Sequence, residues 1–232
     1  MRPDDVRSLR GLPLFAGMSE PSFEALFRAA YLQSFPAHVE LFSEGDRADF
    51  LFVVVEGCVE LYASWSGRET TMAMVVPFGT FILAAVVKDA AYLMAARTAD
   101  RSRILMVPSE DVRRAFELDE AFARAIVVEL AGCYRGVVKH QKELKLRSGV
   151  ERLAAYLLRC HREQGDAPRV GLPYDKRTLA ALLGMTPENL SRAFATLRPY
   201  GVSVDGPSVT LSDLKGLAGL AKPTPLLDDA SF

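Results

Sequence analysis

Hydrophobic positions change their spacing twice along the chain. Over residues 19–31, Phe23, Leu26 and Phe27 fall on one helical face behind Ser19, which predicts a helix with Ser19 as its N-cap. From about 33 to 107 the apolar residues gather into short runs rich in Val, Phe and Leu, at 40–42, 50–55, 59–62, 70–76 and 104–107. Glu44-Gly45-Asp46, Glu56-Gly57, Ser66-Gly67-Arg68 and Pro77-Phe78-Gly79 supply turns between them. Many short strands at regular spacing predict an all-β barrel or jelly roll. At Pro108-Ser109-Glu110-Asp111 the helical period returns, because proline followed by serine and two acids is good helix-start chemistry.

A longer helix is predicted from about 119 to 145. Ile126, Leu130, Cys133, Val137 and Leu144 recur at steps of 4, 3, 4 and 7, with His140 on the same line, an a/d-like seam. Such a helix either packs on its own domain or pairs with its counterpart in a parallel homodimer. The length of the seam, on a helix joining two domains, favours the dimer. The helix should break at Arg147-Ser148-Gly149. Residues 150–161 again read as helix, with Leu153, Ala154, Leu157 and Leu158 inward. After a turn at 164–168 and a short strand at 170–173, a helix over 176–183 ends at Gly184. Thr186 caps the next helix, Pro187 takes its first position, and it runs to about 200. A hairpin follows, 202–204 with 209–211, turning at Asp205-Gly206. The tail, 222–232, is rich in Pro and Asp and reads as disordered.

Composition fits two ordinary domains: 232 residues, 50% of them hydrophobic, supply enough apolar surface for two cores. Lys and Arg number 28 against 29 Asp and Glu, a net charge of −1 that by itself announces no nucleic-acid partner. The balance is uneven, however: residues 148–221 hold nine Lys and Arg against seven Asp and Glu. Cys58, Cys133 and Cys160, an odd count at wide spacing, argue against disulfides and CxxC metal sites and for a reduced, cytoplasmic chain. The N-terminus has no apolar stretch of signal-peptide type. The longest apolar run, 81–87, is far below the ~20 residues of a membrane span. His38, His140 and His161 never fall at HxH or HExxH spacing, which argues against a metal-dependent enzyme on the β domain. No catalytic residue and no metal ligand is predicted.

Two short helices joined by a glycine turn and followed by a hairpin read as a winged helix-turn-helix. On its second helix Glu188, Ser191 and Arg192 stand at i, i+3 and i+4 and share one face, while Leu190, Phe194 and Leu197 take the opposite one. Arg can pair with guanine O6 and N7, Glu can accept from cytosine N4, and Ser can serve either. A lone E-x-x-S-R is commonly an exposed helix with a Glu–Arg pair. Its place at the start of this particular helix makes base reading the stronger interpretation, with Thr186 and Asn189 beside it. Lys176, Arg177 and Arg198 are candidate phosphate contacts, with ordinary surface charge an equal alternative.

Over about residues 10–221 the chain resembles the CRP/FNR superfamily of bacterial transcription regulators. The N-terminal likeness is to a cyclic-nucleotide-binding-like β-roll: Leu14-Phe15, Glu40-Leu41-Phe42-Ser43-Glu44-Gly45-Asp46, Gly57-Cys58-Val59, Leu61-Tyr62 and Gly67-Arg68-Glu69. The C-terminal likeness lies in Arg152-Leu153-Ala154-Ala155-Tyr156, Leu172-Pro173, Leu179-Ala180-Ala181-Leu182-Leu183-Gly184-Met185-Thr186-Pro187-Glu188 and Leu190-Ser191-Arg192. The expected fold class is α+β: an N-terminal helix and jelly-roll β-roll over 1–118, a long dimerisation helix over 119–147, and a winged helix-turn-helix over 148–221. The resemblance implies that Glu188, Ser191 and Arg192 read a TTGA-like half-site of a palindromic promoter, one per subunit of a homodimer, in contact with RNA polymerase.

The effector region departs from the family pattern. Cyclic-nucleotide binders carry a Gly-Glu pair for the ribose and an Arg-Ser pair for the phosphate, because an unpaired buried charge is costly. Leu83-Ala84 and Ala91-Tyr92 stand at those places, and Val137-Val138 stand where the family's base-contacting polar pair belongs. Arg97 falls at a variable strand position. These exchanges argue against cAMP and for an apolar region of Phe81, Leu83, Tyr92, Met94, Val137 and Val138, either filled or holding a small apolar ligand. The family's iron–sulfur branch needs an N-terminal cysteine cluster, and no cysteine precedes Cys58. A haem branch stays open, with His38 and His140 as candidate ligands, although each reads more simply as a surface or interface histidine. Cys133 reads as a small hydrophobe before a redox thiol.

Overall fold

The computed structural model describes residues 3–229. They divide into two compact units, one up to Tyr134 and one from Arg135 on. The first opens with three short helices, α1 (Pro3–Arg10), α2 (Pro13–Ala16) and α3 (Glu20–Arg28). Then come β1 (Tyr31–Phe35), β2 (Glu40–Phe42), β3 (Phe50–Glu56), β4 (Val59–Trp65), β5 (Arg68–Val75), β6 (Thr80–Phe81), α4 (Leu83–Lys88), β7 (Ala95–Thr98), β8 (Ser102–Pro108) and α5 (Ser109–Leu118). They form two four-stranded antiparallel sheets, β1-β8-β3-β6 and β2-β7-β4-β5, the jelly-roll arrangement expected. Leu51 to Val55 of β3 are all buried, so that strand is covered on both faces and reads as an unbroken apolar run.

The long helix α6 (Glu120–Leu146) begins in the first unit and ends in the second. Asp119 starts it: the Phe122 amide donates to one carboxylate oxygen at 2.9 Å, and the Ser19 amide and hydroxyl donate to the other at 2.9 and 2.8 Å. These donors, the Phe122 amide foremost, hold the Asp119 carboxyl down to about 2. Ser19 stands at the N-cap position of α3 as expected. Its hydroxyl nevertheless goes to Asp119 and Ser22 and makes no cap bond to α3.

The second unit holds the end of α6, then α7 (Gly149–Glu163), β9 (Arg169–Gly171), α8 (Lys176–Leu182), α9 (Pro187–Leu197), a 3-10 turn (Arg198–Tyr200), β10 (Val202–Asp205), β11 (Ser208–Leu211), α10 (Leu214–Ala221) and α11 (Pro225–Asp228). Ser148 breaks the chain between α6 and α7 and closes a capping box with Glu151. Leu153, Leu157, Leu179, Leu190, Leu197, Val209 and Leu217 form the core, and β10-β11-β9 make a three-stranded wing. Each such buried side chain contributes about 1.5–3 kcal/mol of apolar transfer.

Four expectations need correction. The predicted helix over 19–31 stops at Arg28, and β1 begins at Tyr31. The apolar run over 81–87 is mostly helix, entered through Ile82 at φ +67° and left through Asp89 at φ +50°. The expected dimer seam is split. Ile126 is fully buried in the core of its own unit and Leu130 packs half-buried against it, whereas Cys133, Val137, His140 and Leu144 are exposed. The outward apolar line on α6 is Val127, Tyr134 and Val137, with Leu130 at its edge; it keeps Leu130 and Val137 of the expected seam and has Val127 and Tyr134 in place of Ile126 and Cys133.

The tail is the fourth. Residues 222–229 are ordered: α11 carries Asp228, whose carboxylate is buried and ion-paired. Residues 230–232 of the expected disordered segment lie outside the described residues. Among the described residues no helix is long and apolar enough to cross a membrane.

Candidate nucleic-acid interface and the interior of the β-roll

The helix-turn-helix is built from local capping chemistry. Asp175 caps α8 by accepting from the Thr178 amide at 2.8 Å. The helix closes at Leu183 and Gly184, whose φ of +62° suits glycine. A Cβ on Gly184 would also meet Leu144 Cδ2 at 2.4 Å, so the last turn of α6 lies hard against this turn. Thr186 then caps α9, accepting from the Asn189 amide at 3.2 Å, and Pro187 opens it.

Leu190, Ala193, Phe194 and Leu197 bury one side of α9. Glu188, Asn189, Ser191 and Arg192 are exposed, so the expected face is assembled and turned to solvent. The Arg192 guanidinium has no hydrogen-bond partner among the described residues. Ser191 Oγ donates to the Pro187 carbonyl at 2.9 Å and keeps its lone pairs free. The Thr186 hydroxyl first, and after it the Glu188 amide and the Arg192 charge, hold the Glu188 carboxyl below the usual range, which keeps it an acceptor.

A groove of about 550 Å³ runs between α9 and the wing. Lys176, Ser191 and Arg198 line it together with Val202, Ser203 and Ser212. Arg177 is exposed but does not line it.

Inside the β-roll, Phe81, Leu83 and Tyr92 are buried in the core and Met94 packs half-buried against it. Phe42 lies tilted against Tyr92 at 4.0 Å and against Phe52 at 5.2 Å, and Phe52 stacks on Phe81 at 5.2 Å (ring centroids). Tyr92 also donates its hydroxyl to the Phe50 carbonyl at 3.1 Å, and burial pushes its phenol up to about 12. Val137 and Val138, the other two residues of the expected apolar region, belong to the second unit. They are exposed on α6 beyond Tyr134.

Arg97 is committed elsewhere, to Glu60 and Glu69 at 2.7 Å each and over the Tyr62 ring. His38 and His140 are exposed, and among the described residues no group of three or more His, Cys, Asp or Glu could hold a metal ion.

Sequence reasoning missed Arg152 and Asp228. Arg152 donates to the carbonyls of Arg147, Leu183 and Gly184, and Asp228 pairs with Arg147. Arg152 lay within the quoted family likeness, but nothing in its neighbours marks it as a clamp.

Residues 32–119 match the cyclic nucleotide-binding domain family, and residues 151–220 match the Crp-like helix-turn-helix domain family. The chain is 23% identical over 225 residues to the CRP-like cAMP-activated global transcriptional regulator of Mycobacterium tuberculosis, covering 94% of this chain and all of that protein. It is 25% identical over 200 residues to the cyclic AMP receptor protein of Thermus thermophilus, covering 86% and 91%. The structure of FixK2 from Bradyrhizobium japonicum superposes with a TM-score of 0.72 at 26% identity, over 84% of this chain and 98% of that one.

The protein is thus of the class that joins a cyclic-nucleotide-binding domain to a DNA-binding helix-turn-helix. Its place is with the CRP/FNR transcription regulators.

Proposed function

We propose that this regulator reads a TTGA-like inverted repeat as a homodimer and does so without cAMP. The observation that carries the first part is the face of α9. Glu188, Ser191 and Arg192 are exposed together while Leu190, Phe194 and Leu197 anchor the helix from behind. Lys176 and Arg198, on the groove beside them, suit phosphate contacts, and Arg177 on the open surface can serve the same purpose. The outward line of Val127, Tyr134 and Val137 on α6 is the surface for pairing with a second copy, and two copies present two reading helices to the two half-sites. Such a protein works in the cytoplasm, against promoter DNA and RNA polymerase. A mobility-shift titration against a duplex carrying the TTGA/TCAA inverted repeat, at stated salt, tests this. Retardation equal to that of a scrambled duplex overturns it.

The second part rests on what surrounds the place of the ribose and phosphate. Leu83-Ala84 and Ala91-Tyr92 offer no charge to a buried phosphodiester, and Arg97, the nearby cation, is already neutralised by two carboxylates. The relatives named for cAMP share the domain; this chain lacks the pairs that would desolvate the nucleotide at a profit. Isothermal titration with cAMP is expected to give no saturable heat, and micromolar binding would overturn the reading.

A further inference from the structure

We infer that Asp228 is a positioning residue for the DNA-reading helix, acting through Arg147 and Arg152 on the turn that leads into α9. The inference rests on the proposal that α9 reads DNA. It adds a contribution from a segment beyond the end of the matched helix-turn-helix domain at residue 220.

The relay has two halves. In the first, both carboxylate oxygens of Asp228 accept from the Arg147 guanidinium at 2.7 Å, and both side chains are almost wholly buried, at 4% and 7% exposure. The tail segment is further tied by the Thr224 amide to the Asp228 carboxylate at 2.8 Å, Arg162 to the Asp228 carbonyl at 3.1 Å, and Lys139 Nζ to the Asp229 carbonyl at 2.6 Å. A forked pair of this kind fixes orientation as well as distance. Arg147 is the residue between the last turn of α6 and Ser148, the N-cap of α7, so holding its side chain holds the joint.

In the second half, the Arg147 carbonyl accepts from Arg152 at 2.6 Å. The same guanidinium donates through Nε to the Leu183 carbonyl at 2.8 Å and through its other terminal nitrogen to the Gly184 carbonyl at 3.3 Å. Leu183 and Gly184 close α8, two residues before the Thr186 cap of α9. One planar cation therefore spans the joint and the turn, and its rigid fork transmits the position of one to the other. An apolar contact of equal strength would tolerate sliding; a chain of directional donors does not.

The test uses full-length wild type, Asp228→Ala and Asp228→Glu. Glu143 still pairs with both Arg147 and Arg159 when Asp228 is removed, so no buried cation is left without a carboxylate and the variant keeps its fold. Without DNA, the amides of Gly184 and Met185, which donate to Ala181 and Ala180, are expected to exchange hydrogen about tenfold faster in Asp228→Ala. The Leu211 amide, donating to Pro168 in the wing, is expected to be unchanged. Affinity for the inverted repeat is expected to fall about tenfold with the same slope against salt, because the phosphate contacts are intact, and Asp228→Glu should restore most of both.

Equal acceleration at Leu211 would mean simple loss of stability and overturns the inference. So does unchanged exchange at Gly184, or a faster Gly184 with undiminished DNA affinity. If wild type itself ignores the inverted repeat, the DNA-reading proposal fails, and exchange at Gly184 still decides whether the tail holds the turn.

Discussion

Arg192→Ala is expected to abolish sequence-specific DNA binding and leave the protein folded. The guanidinium touches no hydrogen-bond acceptor among the described residues, and the side chain projects from the exposed side of α9. Its removal therefore leaves no cavity and no orphaned buried partner. The cost falls on the complex. A bidentate Arg–guanine pair is worth about 1–3 kcal/mol against the wrong contact, and a dimer loses it twice, so specific affinity should drop by roughly 30-fold to 10⁴-fold. Non-specific binding, carried by phosphate contacts, should change little. The measurement is a paired titration against the inverted repeat and a scrambled duplex, with thermal unfolding as the control. An unchanged footprint would remove Arg192 from the reading face. Glu188→Gln would then be the variant to examine, since Glu188 is the other exposed charge on that face.

Phe81→Ala should destabilise the first unit by about 3–5 kcal/mol, the usual loss for a buried aromatic cut back to alanine. Phe81 is 4% exposed, and its ring lies 5.2 Å from Phe52 and 6.3 Å from Phe42. If the β-roll is filled by these rings, truncation opens a hole that rigid neighbours cannot close. If instead the roll keeps room for a small apolar ligand, the ring borders space already vacant and its loss costs under about 1 kcal/mol. Urea unfolding of wild type and variant, followed by far-UV circular dichroism, separates the two.

The sequence shows the periods and caps that set both domains. Alternating apolar runs mark the sheets, and Gly184, Thr186 and Pro187 mark the turn and start of α9, because that chemistry is local. The shared exposed face of Glu188, Ser191 and Arg192 was equally legible: i, i+3, i+4 spacing needs only helical geometry. What escaped depends on partners remote in the chain. Ile126 lies on the same line as Val137, yet Ile126 meets the β-roll core and Val137 meets solvent; spacing reports a stripe and not what covers it. Leu83 reads as part of a pocket wall within an all-β stretch, and it is Ile82 and Asp89, both at positive φ, that bracket a helix there. The Pro- and Asp-rich tail looked disordered because Arg147, 81 residues away, is what orders it. Phe42 and Phe52 were absent from the expected lining for the same reason: they arrive from other strands.

The packed rings of Phe42, Phe52, Phe81 and Tyr92 bear on how such a regulator would be controlled. A receptor with a vacant site is governed by occupancy, and its output follows a metabolite within seconds. If the interior is closed by its own side chains, as the proposal has it, that lever is gone, and copy number takes its place. Assembly of two chains on one promoter rises with the square of their concentration. Synthesis and degradation of the polypeptide would then set the threshold, on the slower clock of growth.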